Sequence, residues 1–235
     1  MTLTLGRTLE MLLDSRIATT SNLALLRQTV SRPAEQTWIY DRLQPPFKTS
    51  LYETLKSRFG DMECLEKTFR FAWDASSELG SWCSDRVWSY ALTEEVLPKL
   101  EGRVSKNFKR GFDNAVTARV DSEIKRIKQA SALVKDHKLS SPDALNQLSP
   151  KVQLLRRELS KYFESPTDTK CIVFTKQRHT ARLLGDLFTR LGIQNLRPGV
   201  LIGIRSGDDV GMNSTLRQQF MTLVKFRTGE LNCLV

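Results

Sequence analysis

The sequence has none of the short motifs that carry nucleotide or nucleophilic chemistry unaided. It lacks G-x-x-x-x-G-K-[ST], so it has no phosphate cradle with its lysine, and it lacks the D-E-x-[DH] box that holds magnesium. No Gly-rich fingerprint joins a strand to a helix, and no G-x-S-x-G nucleophile elbow occurs. Histidine is scarce, with His137 and His179 alone. The four cysteines (Cys64, Cys83, Cys171, Cys233) never form C-x-x-C, which argues against a disulfide framework or a zinc site and predicts buried free thiols. The adjacent carboxylates Glu94-Glu95 and Asp208-Asp209 are poor acid/base pairs, because helical neighbours diverge by about 100° and loop carboxylates are solvated. Neither a catalytic constellation nor a cofactor or metal site is expected within the chain.

Long apolar runs are missing too. Cys171–Phe174 and Val200–Ile202 are far too short to cross a bilayer, and the first residues lack a basic start followed by an apolar stretch. The expectation is an intracellular protein, cytoplasmic or nuclear, with no membrane partner. Glycine (12) and proline (8) are too few for low-complexity sequence, and 235 residues with 40% hydrophobic content can bury a real core.

Positive charge, by contrast, is plentiful. Lys and Arg number 36 against 26 acidic residues, a formal net charge of +10 that suggests a polyanionic partner. Between Lys176 and Arg227 there are nine Lys/Arg and only Asp186, Asp208 and Asp209 in opposition. Such an excess suits phosphate neutralisation, although a well-solvated surface has the same composition.

Three regions differ in pattern. Residues 1–47 hold a short periodic stretch, then Trp38-Ile39-Tyr40, and Pro45-Pro46 closes them because neither proline continues a helix. Residues 48–140 are helical throughout. Leu51, Leu55 and Phe59 share one face and Gly60 ends it; Leu65, Phe69, Ala72, Trp73 and Ser76 share the next, ending near Gly80. A third segment carries Trp82, Trp88 and Tyr90, aromatics expected in the core, and Pro98 is predicted to end or kink it. A long fourth segment, spanning 103–138, sets a narrow stripe of Val116, Val120, Ile124, Ile127 and Val134 against Arg119, Lys125, Arg126, Lys128 and Lys135. That pattern predicts a helix packed on one side and facing solvent or a partner on the other.

From Ser149-Pro150, a predicted N-cap with proline in the first turn, the period alternates. Helix 151–163 leads to strand Cys171-Ile172-Val173-Phe174. Helix 177–191, capped by Gly192, leads to strand 200–204. Helix 214–228, with Leu216, Phe220, Leu223 and Val224, leads to a strand at Leu231–Val235. This order predicts a parallel sheet with helices on both faces, and ending inside a strand suggests part of a larger domain.

Specific strings then carry a resemblance. Cys171–Arg178, Leu201–Gly207, Arg217–Phe220 and Phe226–Val235 resemble, in order, helicase motifs IV and IVa and the approach to motif V in the second RecA-like domain of superfamily 2 helicases. About ninety preceding helical residues, together with Gly207-x-x-x-Gly211-Met212 and Arg217-Gln218-Gln219, are similar to the double-stranded-RNA helicases. Thr37–Leu43, Ala75–Gly80 and Trp82–Arg86 resemble Dicer-like endoribonucleases of the fungal type.

The resemblance runs from about Leu9 to Val235. It implies a fragment comprising the tail of the first helicase domain (1–47), a helical insertion (48–140) and the N-terminal half of the second, RecA-like domain (149–235). In that family, ATP and magnesium drive the helicase and ribonuclease III domains cut double-stranded RNA for RNA silencing and antiviral defence. The P-loop, arginine-finger and nuclease motifs are absent here, so the chain is not expected to be a complete enzyme.

Ligands of open parallel sheets bind beyond the strands' carboxyl ends. The resemblance therefore assigns RNA-backbone contact to Thr175, Lys176, Gln177, Arg178, Arg205, Ser206 and Gly207, while Ile172–Phe174 are expected to be core strand. The insertion is the expected docking place for a double-stranded-RNA-binding partner protein. Two alternatives remain: a helical protein-docking module with Trp73, Trp82 and Trp88 lining an exposed groove, and an inactive truncated gene product.

Overall fold

A computed structural model of the chain describes residues 36–108, 114–143, 147–165, 169–203 and 215–235. The chain divides into two units, Met1–Ile39 and Tyr40–Val235, and every element below belongs to the second.

The second unit opens with helices α1 (Ser50–Phe59), α2 (Glu63–Leu79), α3 (Ser81–Ala91), α4 (Leu97–Phe108) and α5 (Asn114–Asp136). Thr49 starts α1: its Oγ1 accepts the Tyr52 N–H at 3.0 Å. Helix α2 buries Leu65, Phe69, Ala72, Ala75 and Leu79, and α3 buries Trp82, Cys83, Val87 and Trp88. The helical spacing of these residues gives each helix one apolar face, and Phe69 meets Trp88 edge-on at 4.8 Å between ring centres. Helix α5 lies against α4 and closes the layer with Ile127, Ala130 and Ser131, the last donating to Leu92 O at 2.9 Å.

Two expectations are corrected here. The third helix ends at Ala91, and Pro98 falls in the first turn of α4, where a missing N–H removes no helical bond. The segment predicted as one helix over 103–138 is two helices, α4 and α5, and residues 109–113 lie outside the described residues.

Helix α6 (Pro150–Tyr162) begins at the predicted signal, with Ser149 Oγ accepting the Val152 N–H at 3.3 Å. Its entry is fitted to the α2–α3 corner. Gly80 turns that corner at φ +113°, and a Cβ there would lie 2.4 Å from Gln147 O and 2.7 Å from Leu148 Cα. The closeness allows three bonds: Ser149 N–H to Leu79 O (2.9 Å), Trp82 N–H to Gln147 O (3.2 Å) and Ser149 Oγ–H to Glu78 O (2.8 Å).

The sheet follows, with β1 (Cys171–Ile172), α7 (Arg178–Leu191), β2 (Pro198–Gly199), α8 (Leu216–Thr228) and β3 (Cys233–Leu234). The strands are parallel in the order β1-β3-β2. Gly192, at φ +57°, caps α7 as predicted. Helix α7 buries Leu183, Leu184, Leu187 and Phe188, and Gly185 lets it approach the sheet, since a Cβ there would lie 2.1 Å from Val200 Cγ2.

Three further expectations change. Ile172 (53% exposed) and Phe174 (89%) are not core, because only one face of β1 is packed: Cys171 and Val173 alternate inward and Ile172 and Phe174 outward. The second strand pairs at Pro198–Gly199, earlier than the predicted 200–204; Ile202 is nonetheless buried, and Ile204 lies outside the described residues. Helix α8 does not use its Leu216–Phe220–Leu223 face. Leu216 and Phe220 are exposed, and the helix meets the sheet through Gln219, which donates to Ile202 O, and Thr222, which lies over Gly199.

Candidate nucleic-acid interface

Parallel strands send their carboxyl ends to one edge, and the chain leaving β1 reaches that edge at Thr175. Thr175 is half-buried and its Oγ1 donates to Gln177 O at 3.2 Å, closing a tight local turn. Lys176 and Gln177 are exposed. Gln177 is the N-cap of α7, with extended backbone (φ −125°, ψ 143°) and no side-chain bond to the helix. No acidic residue occupies the first turn of α7. A helix start favours an anion. Arg178 is half-buried and already engaged within the protein, so Lys176 supplies the exposed cation of this segment. Arg205, Ser206 and Gly207 lie outside the described residues.

Many cations in the basic stretch point elsewhere. Arg197 donates to Gly229 O at 3.1 Å, Lys225 pairs with Glu230 at 3.9 Å, and Arg190 sits 3.5 Å from Asp186 Oδ1 and over the Trp82 ring. Arg182 stacks on Tyr90 at 5.5 Å. The charged face of α5 is similarly occupied: Arg126 bridges Asp61 and Glu123, Lys128 lies 3.6 Å from Glu101, and Lys135 lies 2.7 Å from Glu94. Much of the positive charge counted from sequence therefore fastens the fold.

The contacts that sequence reasoning missed join α7 to the helical layer. Arg86 Nε on α3 donates to Asp186 Oδ2 on α7 at 2.5 Å, with the two side chains only 18% and 21% exposed. The guanidinium groups of Arg86 and Arg182 both lie over the Tyr90 ring, at 4.7 and 5.5 Å, and burial, with the Asp186 carboxylate, raises its pKa. His179, buried one residue beyond Arg178, stacks on Phe71 of α2 at 4.6 Å. The one sequence clue was Asp186, the sole acidic residue between Lys176 and Arg205.

Among the described residues no three His, Cys, Asp or Glu side chains gather as metal ligands. Asp85 accepts from Thr49 Oγ1 at 2.5 Å and contacts His137 Nε2 at 3.1 Å. The carboxylate stands between hydroxyl and imidazole, so the ring cannot take the hydroxyl proton as a nucleophile's base must. Burial raises the Asp85 pKa, opposed by the Thr49 and His137 contacts. A cleft of about 320 Å³ beside the start of α6 is lined by Tyr40, Arg42, Glu78 and Lys151, and its Lys151 is paired with Glu78 and lies over the Tyr40 ring. Trp82 and Trp88 are fully buried and Trp73 is half-buried, so the exposed tryptophan groove of the docking alternative does not form.

No protein-family profile matches the chain. Curated proteins do. Dicer-like protein 1 of Aspergillus niger is 61% identical over 226 residues, covering 96% of this chain and 15% of that protein. The chain is a relative of the fungal Dicer-like proteins. Dicer-like protein 1 of Phaeosphaeria nodorum is 42% identical over 97% of the chain, and that of Chaetomium globosum is 35% identical over 96%. The chain thus spans about 15% of the length of these Dicer-like relatives. The described residues add a helical layer joined to a small parallel sheet, and no helix among them is long and apolar enough to cross a membrane.

Proposed function

We propose that the chain supplies part of the duplex-RNA grip of a Dicer-like helicase and ribonuclease. Residues 48–140 act as the helical insertion and 149–235 as the first half of the second RecA-like domain, with 1–47 as the tail of the first. The observation that carries this reading is the Thr175-Lys176-Gln177 segment, with Lys176 and Gln177 exposed, which leaves a parallel strand at its carboxyl end beside the start of α7. Thr175, Lys176, Gln177 and Arg178, together with Arg205, Ser206 and Gly207, contact phosphates of one strand without reading bases. A-form RNA hides its base edges in a deep groove, so shape, phosphate and 2′-hydroxyl are the features available for recognition. ATP, magnesium and RNA cleavage belong to the whole Dicer-like protein, and this chain contributes position and electrostatics.

The Arg86–Asp186 pair and the Phe71–His179 stack support a grip in which insertion and sheet act together. A rotation of the helical layer would carry α7, and with it the segment at its N-terminus. Photocrosslinking of the chain to duplex RNA bearing 4-thiouridine tests the reading. Crosslinked peptides should contain residues 175–178. Crosslinks confined to α1–α6, or none above those with an uncharged polymer, would overturn it.

A further inference from the structure

The sheet also contains a pair of thiols that the RNA grip does not use. Cys171 of β1 and Cys233 of β3 stand opposite each other in register on neighbouring parallel strands. Hydrogen-bonded strands lie about 4.8 Å apart, within the roughly 4.4–6.8 Å Cα separation that a disulfide spans. Paired residues of a parallel ladder point to the same face, so no strand need turn over for the sulfurs to meet. Cys171 is half-buried and reachable, while Cys233 is fully buried behind it. The other two cysteines, Cys64 on α2 and Cys83 on α3, belong to the helical layer.

We propose that Cys171 and Cys233 form an oxidative modification site, converted by hydroperoxides into an intrachain disulfide that joins β1 to β3. The Cys171 thiolate attacks the peroxide: an S–O bond forms, the O–O bond breaks, and the leaving oxygen departs as an alcohol or water. The Cys233 sulfur then displaces hydroxide from the sulfenic sulfur, forming S–S and breaking S–O, and its proton leaves with that hydroxide as water. Two thiols are oxidised and one peroxide is reduced.

The environment divides the roles. The neighbouring Cys233 thiol lowers the Cys171 pKa despite burial, so Cys171 ionises more readily than its partner and is the first nucleophile. The same contact, together with burial, raises Cys233, and converting Cys171 to the sulfenic acid removes the negative sulfur that retains the Cys233 proton. Burial raises Cys64 to about 11 and moves Cys83 upward as well, leaving both as poorer nucleophiles.

The test is peptide mapping of the whole chain after hydrogen peroxide, with N-ethylmaleimide as the quench. Free thiols should fall from four to two. Trypsin should then release residues 171–176 joined to 228–235, two hydrogens lighter than the separate peptides. Cys233→Ser should instead leave Cys171 as a sulfenic acid that dimedone traps. The proposal is overturned if the linked peptide is absent while Cys171 stays reduced or passes to sulfinic acid, or if bonds form only between chains or through Cys64.

Discussion

Breaking the Arg86–Asp186 contact should loosen the joint between the helical layer and α7. Arg86 Nε stands 2.5 Å from Asp186 Oδ2, and the side chains are 18% and 21% exposed, so water screens the pair only in part. Exposed ion pairs contribute about 0–1 kcal/mol, whereas removing one partner of a fully buried pair costs about 3–5 kcal/mol. This pair falls between, and Arg86→Ala also removes the guanidinium that stacks on Tyr90 at 4.7 Å. A destabilisation of about 2–3 kcal/mol is expected for Arg86→Ala, and about 2 kcal/mol for Asp186→Ala, which also strips Arg190 of its carboxylate. The double variant should fall short of the sum by about 1–2 kcal/mol. Urea unfolding followed by tryptophan fluorescence reads the helical layer directly, since Trp82 and Trp88 lie on α3. Effects that add to within about 0.3 kcal/mol would refute a direct coupling.

Two other substitutions probe the same body. Gly80→Ala forces a Cβ against Gln147 O and the Leu148 backbone at φ +113°, and should cost about 3 kcal/mol. Gly102→Ala on α4, where a Cβ meets nothing within 4 Å, should gain about 0.5–1 kcal/mol, and the opposite order in thermal unfolding would contradict the corner geometry. Burial holds the Asp85 pKa above its ordinary 3.8, so the folded chain retains a proton that the unfolded chain has released. Stability from this group is thus present below 3.8 and lost as pH rises through the raised folded value. Asp85→Asn should remove that fall from the urea midpoint, and parallel pH profiles for variant and wild type would rule the assignment out.

Signals that act within a few residues were legible in the sequence. Ser149-Pro150 starts α6, and Gly192 ends α7 through its left-handed conformation. Trp82 and Trp88 were legible as core by bulk and spacing. Where tertiary neighbours decide, periodicity misled. The apolar face of α8 is Leu216–Phe220–Leu223, yet the sheet meets Gln219, which donates to Ile202 O, and Thr222, which lies over Gly199. Ile172 and Phe174 look like core in a four-residue apolar run, but only one face of the strand is packed, and alternate side chains of the run point out. Pro98 carries the same signal as a helix stop and as a first-turn residue. In the candidate interface, the exposure of Lys176 and Gln177 followed from a strand running out into a helix start. The Arg86–Asp186 pair, 100 residues apart in sequence, had no local signature.

The salt dependence of duplex-RNA binding tests the phosphate grip most directly. Measured by fluorescence anisotropy, the logarithm of the association constant should fall linearly with the logarithm of salt concentration. Lys176→Ala combined with Arg205→Ala should flatten that slope by about 1–2, with equal loss on unrelated RNA sequences. An unchanged slope and affinity in the double variant would contradict it.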